Sequence, residues 1–187
     1  MNKHPLVISF MGVDGSGKTT LSKKLKKKFK QSLYLHLKPY ILFQDKRNVI
    51  KNPHKKKKSF FTTSVIRLLS WLISYKIYFF INKKMKLYIF DRYAHDILID
   101  PLRYKHNLPK NLTKFILNFF PRPDLWIFVN PPIKIIKSRK QELSDSELKR
   151  QIKEYSIFFK NIKNVLILNS NIQTNSLIKK IKKKLIL

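Results

Sequence analysis

The sequence predicts an α/β fold in three layers, a five-stranded parallel sheet flanked by helices. Two observations carry that prediction. Short apolar runs alternate with longer amphipathic segments along the 187 residues, which is the rhythm of a doubly wound sheet. The first apolar run also meets its helix through Gly12-Val13-Asp14-Gly15-Ser16-Gly17-Lys18-Thr19-Thr20, so a strand, a glycine loop and a helix follow one another directly.

That loop fits the phosphate-loop pattern G-x-x-x-x-G-K-[ST]. A phosphate chain needs several backbone N–H groups aimed into one hollow, and glycine adopts the required angles most cheaply. The chain holds three glycines, and all three, Gly12, Gly15 and Gly17, lie here. The following helix directs its positive end at the same anion. Gly12, Asp14, Gly15, Ser16, Gly17, Lys18, Thr19 and Thr20 are therefore the candidate residues for binding a nucleotide's phosphates. Lys18 is placed to reach the β/γ-phosphates, and the Thr19 hydroxyl to ligate Mg²⁺.

The first strand is expected over Leu6–Met11 and its helix over 19–31, where Leu21, Leu25 and Phe29 recur at four-residue steps among lysines. Such lysines form a solvated face. A second strand is read at 33–37, then a polar loop or flap over 40–58 that includes four consecutive lysines from Lys55. Residues 60–81 form the most apolar window, yet Arg67 and Lys76 interrupt it. A long buried helix or helix pair is preferred to a membrane span, and an interfacial helix on an anionic membrane is the alternative.

A third strand at 87–90 delivers Asp91-Arg92-Tyr93 at its end, followed by an irregular, partly helical section over 94–120. The fourth strand is Leu125–Val129, and Pro131-Pro132 opens a helix to about residue 140. Ser144 with Glu147 fits a capping box for a helix over 144–160. A last strand, Val165–Leu168, and a closing helix over 177–184 complete one domain. Ligands of parallel sheets bind beyond the carboxyl ends of the strands, so the loop and Asp91-Arg92-Tyr93 are expected to face each other.

Composition adds limits. The formal charge is +31, but 34 of the 41 basic residues are Lys, and Gly and Ala are scarce. Alone that charge would suggest nucleic acid, an anionic membrane face or acidic ligands, but the bias resembles drift in an AT-rich genome, so the charge is discounted by about half as a functional clue. No nucleic-acid module accompanies it. Cysteine is absent, which removes disulfides and thiolate metal sites. Residues 1–5 show no secretory pattern, and a cytoplasmic protein is expected. The histidines show no metal-ligand spacing.

A phosphate loop alone leaves kinases, GTPases and motor ATPases open. The guanine-specifying N-K-x-D pattern is missing. Asp14 puts a carboxylate in the loop, Asp91 at a strand end suits Mg²⁺, and Arg92 suits an acceptor phosphate. The loop together with Asp91-Arg92-Tyr93 and the Pro123-Asp124-Leu125 strand entry resembles the thymidylate kinase family of nucleoside monophosphate kinases. The resemblance implies Mg²⁺-dependent transfer of the ATP γ-phosphate to a small phosphorylated acceptor, dTMP or a similar monophosphate. It implies that Lys18 and Thr19 serve ATP and Mg²⁺, that Asp14 meets the acceptor sugar, and that Arg92 holds its phosphate. Tyr93 is a candidate for lining the acceptor pocket.

The chain departs from that family where the base is read. Leu69 stands where the thymine-reading arginine would fall, and Arg67 points elsewhere on the helix. Ala94-His95-Asp96 follows Tyr93 in place of the family's serine pattern. The lid is reduced to a short segment near 138–148, with Arg139 as the candidate clamp on transferred phosphate. Asp96 and Asp100, four positions apart, are read as helix surface, with an acceptor hydroxyl or a metal as the alternative. A sugar or lipid-linked glycan acceptor, or a non-catalytic nucleotide-binding protein, are the alternatives. A homodimer and peripheral membrane contact through 60–81 are compatible with the sequence.

Overall fold

The computed structural model describes residues 5–37, 60–139, 143–169, 176, 178 and 179. The expected flap over 40–58, lid residues 140–142 and most of the expected closing helix lie outside the described residues. Among the described residues five strands form one parallel sheet: β1 (Leu6–Met11), β2 (Ser32–His36), β3 (Leu87–Asp91), β4 (Leu125–Val129) and β5 (Val165–Leu168), in the order β2-β3-β1-β4-β5. All four pairings are parallel. β3 and β4 are buried at every residue, which explains why they read as unbroken apolar runs and not as alternating ones.

The helices are α1 (Lys18–Lys28), α2 (Phe61–Ile81), α3 (Lys110–Leu117), α4 (Ile133–Arg139) and α5 (Asp145–Lys160), with a 3₁₀ turn over Ala94–Leu98. α1 stops three residues short of its expected end, because Phe29 turns to extended backbone. The aromatic window is one continuous helix, not a pair. Ser144 caps α5 by accepting the Glu147 N–H at 3.3 Å. The Glu147 carboxylate turns outward to Arg150 at 2.7 Å and Gln151 at 2.9 Å.

The chain divides into two compact units. The first comprises 1–36, 84–92 and 123–187 and contains the whole sheet. On one sheet face Ile8, Phe10, Ile89, Ile127 and Val129 pack with Leu25 of α1 and Leu168 of β5. Each such fully buried side chain stabilises the fold by about 1.5–3 kcal/mol. The other face of β4 carries Trp126 and Phe128 against Tyr155, Phe158 and Phe159 of α5. Helices on both faces of the sheet make the three layers the sequence predicts.

The second unit comprises 37–83 and 93–122. Its centre is aromatic: the Tyr75 ring lies 5.0 Å from Tyr93 and 5.5 Å from Phe120, edge-on to both. Polar groups tie α2 into the unit. The Tyr75 hydroxyl donates to the Leu37 carbonyl, Arg67 donates to the Tyr104 carbonyl, and Ser64 Oγ accepts the Asn107 N–H at 3.0 Å.

Candidate functional site

The loop between β1 and α1 sits at the carboxyl end of the central strand. All three of its glycines take positive φ, and the two at its ends show why. Gly12 has φ +148°, and a Cβ there would stand 2.4 Å from the Val129 carbonyl oxygen. Gly17, at φ +94°, is the N-cap of α1. The helix therefore starts at Lys18 with no acidic residue in its first turn, leaving its positive end available to an anion. Ser16 is buried, and its hydroxyl has no hydrogen-bond partner among the described residues.

β3 is the neighbour of β1, and the register pairs Phe10 with Asp91. That pairing brings the end of β3 to the loop. Asp91 is wholly buried. Its Oδ2 accepts from the Thr19 hydroxyl at 2.6 Å and from the Tyr34 hydroxyl at 2.9 Å. Its Oδ1 has no partner among the described residues. A buried carboxylate oxygen without a partner is costly, so a group that binds there gains from it. Thr19 and Asp91 together present hard oxygen donors, the type Mg²⁺ takes. No group of three His, Cys, Asp or Glu able to hold a metal occurs among the described residues.

Arg92 follows with φ +74°, a left-handed conformation that few non-glycine residues adopt. Its N–H donates to the Phe10 carbonyl at 2.9 Å, which holds the twist. The twist turns the guanidinium toward the loop, where it donates to Oδ1 of Asp14. The same oxygen takes the Lys18 ammonium at 3.2 Å, and that ammonium also donates to the Val13 carbonyl at 3.0 Å. Lys18 and Arg92 are both nearly buried. Two cations thus share one carboxylate, where solvent screens their charge poorly.

Arg139 closes α4 and is exposed. Its guanidinium lies at the loop, since a Cβ on Gly17 would meet it at 3.3 Å. Gly12, Asp14, Gly15, Ser16, Gly17, Lys18, Thr19, Thr20, Asp91, Arg92 and Arg139 all belong to the first unit. Tyr93 does not join them. Its ring is wholly buried in the second unit and its hydroxyl donates to the Pro121 carbonyl. Asp96 and Asp100 are corrected: both are buried, not on a helix surface. Asp96 accepts from the Tyr104 hydroxyl at 2.6 Å, and Asp100 from Arg103 at 2.9 Å.

Tyr34 is the residue that sequence reading missed. The parallel register sets Tyr34 beside Ile89 and His36 beside Asp91. Alternation then puts Tyr34 and Asp91 on one sheet face. The only signal in the sequence was a hydroxyl-bearing residue two positions before a strand end.

Known proteins share this architecture. The thymidylate kinase from Candida albicans, whose structure is described as revealing the origin of broad substrate specificity, superposes with a TM-score of 0.63 at 16% identity, covering 96% of this chain and 90% of that one. A deoxyadenosine kinase from M. mycoides, solved with products dCMP and a flexible dCDP, gives 0.62 at 18% identity over 96% of this chain and 98% of that one. The same kinase with bound dATP gives 0.60 at 17% identity over 97% and 100%. No curated protein matches the chain by sequence. The family model for thymidylate kinase matches residues 10–185, so the chain belongs to the thymidylate kinase family of nucleotide kinases.

Proposed function

We propose that the chain transfers the γ-phosphate of ATP to a nucleoside monophosphate, with dTMP the first acceptor to test. The observation that supports this is the sharing of Asp14 Oδ1 by Lys18 and Arg92. A cation suited to the donor phosphates and a cation suited to an acceptor phosphate meet within one carboxylate. In this reading the loop amides, Ser16 and Lys18 hold the β/γ-phosphates. Arg92 holds the acceptor phosphate, Asp14 takes an acceptor sugar hydroxyl, and Arg139 clamps the group in transit. Thr19 and Asp91 hold Mg²⁺, which when bound neutralises charge on the phosphates. Positioning and charge compensation carry the rate, because phosphoryl transfer asks little covalent work of a protein. A cytoplasmic location accords with this reading.

Leu69 favours a second acceptor class. It is 44% exposed, and Arg67, the nearest arginine on α2, is tied to the Tyr104 carbonyl. A base-reading arginine is therefore not supplied from this part of α2, and a sugar or lipid-linked glycan becomes the alternative acceptor. ADP release, measured with ATP and Mg²⁺ over a panel of deoxynucleosides, their monophosphates and sugar acceptors, separates the readings. Rapid turnover of dTMP or another monophosphate supports the first. Turnover confined to sugars or glycans overturns it, and ATP binding without acceptor-dependent ADP release makes the protein a nucleotide-binding module.

A further inference from the structure

The surface of the second unit is apolar and basic. Among its described residues the only carboxylates are Asp96 and Asp100, both buried. Lys76, Lys83, Lys110 and Lys114 are exposed. Large apolar side chains stand out beside them: Ile66 is 63% exposed, Phe80 68% and Phe115 60%. Along α2 the exposed residues Ile66, Leu69, Ile73, Lys76 and Phe80 follow at alternating three- and four-residue steps, so they line one stripe of the helix. The opposite stripe, Ser64, Leu68, Trp71 and Tyr75, is buried within the unit.

α2 is long and apolar enough to cross a membrane. Its buried stripe argues against that, because Trp71 packs edge-on to Tyr104 at 5.7 Å and Tyr75 sits in the aromatic centre. Crossing would strip both from the unit. A helix with one stripe packed and the other apolar can instead lie in the plane of a bilayer surface.

We propose that the exposed stripe of α2 is a peripheral docking surface for an anionic lipid bilayer. Ile66, Ile73 and Phe80 enter the boundary between headgroups and acyl chains, while Lys76 and Lys83 reach the lipid phosphates. Charge complementarity selects this occupant. Lys76, Lys83, Lys110 and Lys114 are exposed on this unit, and no described carboxylate is exposed there to repel an anionic surface. The Lys83 ammonium lies 3.9 Å from the Phe80 ring centroid, so cation and aromatic ring are presented together, as a headgroup boundary accepts them. A second copy of the chain would set two lysine-bearing stripes face to face without a carboxylate between them, which opposes self-association through this face.

Flotation of the full chain with phosphatidylcholine vesicles, with and without about one-third phosphatidylglycerol, tests the proposal. Co-flotation is expected with the anionic vesicles only, and high salt releases the protein. Ile73→Ser with Phe80→Ser lowers the partition coefficient at least about twentyfold, and Lys76→Glu with Lys83→Glu, which reverses two charges, lowers it by about a hundredfold or more. These side chains are solvent-exposed, so both variants keep the wild-type thermal melt. Absence of flotation, or binding indifferent to both variants, overturns the proposal. So does a concentration-dependent dimer in sedimentation equilibrium that the Ile73→Ser, Phe80→Ser variant abolishes, because it assigns the stripe to a second copy.

Discussion

The guanidinium of Arg92 donates to Oδ1 of Asp14, a residue 78 positions earlier in the chain. Lys18 reaches the same oxygen at 3.2 Å. Replacing Asp14 by Asn leaves two nearly buried cations adjacent with their shared counter-charge gone. The expected result is a loss of about 3–5 kcal/mol in stability, read by urea denaturation. If the Asp14 proposal holds, acceptor kcat/KM falls at least about tenfold while ATP affinity changes less. Equal losses for both substrates would remove Asp14 from acceptor binding.

Lys18→Ala tests the donor side of the loop. Asp14 keeps Arg92 as a partner, so the fold survives with little change in melting temperature. Turnover is expected to fall by about a thousandfold or more, read as ADP release. Retained activity in a folded variant would take the loop out of the mechanism.

Asp91→Asn probes the carboxylate whose Oδ1 stands without a partner among the described residues. Neutralising it weakens a Mg²⁺ site built on Thr19 and Asp91. The Mg²⁺ concentration for half-maximal ATP binding should rise about tenfold or more, measured by titration calorimetry without any acceptor. An unchanged Mg²⁺ dependence would place the ion elsewhere.

Gly12→Ala puts a methyl group 2.4 Å from the Val129 carbonyl oxygen. Neither partner is a flexible side-chain tip, so backbone must shift, in a conformation that already disfavours a Cβ. A loss of about 3 kcal/mol or more is expected. Gly17→Ala meets only the Arg139 guanidinium, at 3.3 Å, which can swing aside. It should lose less, chiefly through its φ of +94°. Thermal melts of the two variants give the comparison, and equal losses would contradict the packing argument.

Acid should weaken the second unit through His95 and His106. Burial pushes both imidazoles down from 6.5 to about 4, with Arg122 adding to the effect on His95 and Arg67 on His106. His95 stacks on the Tyr93 ring at 5.7 Å. The Thr113 hydroxyl donates to the Pro109 carbonyl at 3.0 Å, so His106 Nε2, at 2.7 Å, is the donor to Thr113. Because the folded state holds both rings neutral, the unfolded chain takes up protons first as pH falls. Stability is complete above about pH 6.5 and declines toward pH 4, by on the order of 2 kcal/mol for His95. Urea melts at pH 7 and pH 4.5 measure it, and a flat profile between them would refute the neutral assignment.

Fold class was legible because five apolar runs alternate with helices, and the loop was legible because only glycine tolerates its bends. Lys18, Thr19, Asp91 and Arg92 could be picked out for the same reason, since their types and places relative to strand ends are local facts. Other placements were not local. Tyr93 follows Arg92 directly, yet it falls into another unit and is consumed by an aromatic core. Asp96 and Asp100 read as surface residues because carboxylates usually are, and their meeting with Tyr104 and Arg103 helps make burial tolerable.

By itself the sequence determined a glycine loop between a strand and a helix, with an Asp-Arg pair ending another strand. Backbone sterics and residue chemistry are enough for that. Tertiary structure alone decided that Tyr34 shares Asp91 with Thr19, that a left-handed Arg92 turns back onto Asp14, and that Arg139 comes to the loop. Those contacts depend on sheet order and register, which set β3 between β2 and β1. Register arises from many weak packing choices summed across strands far apart in the chain, and no local stretch of residues carries that sum.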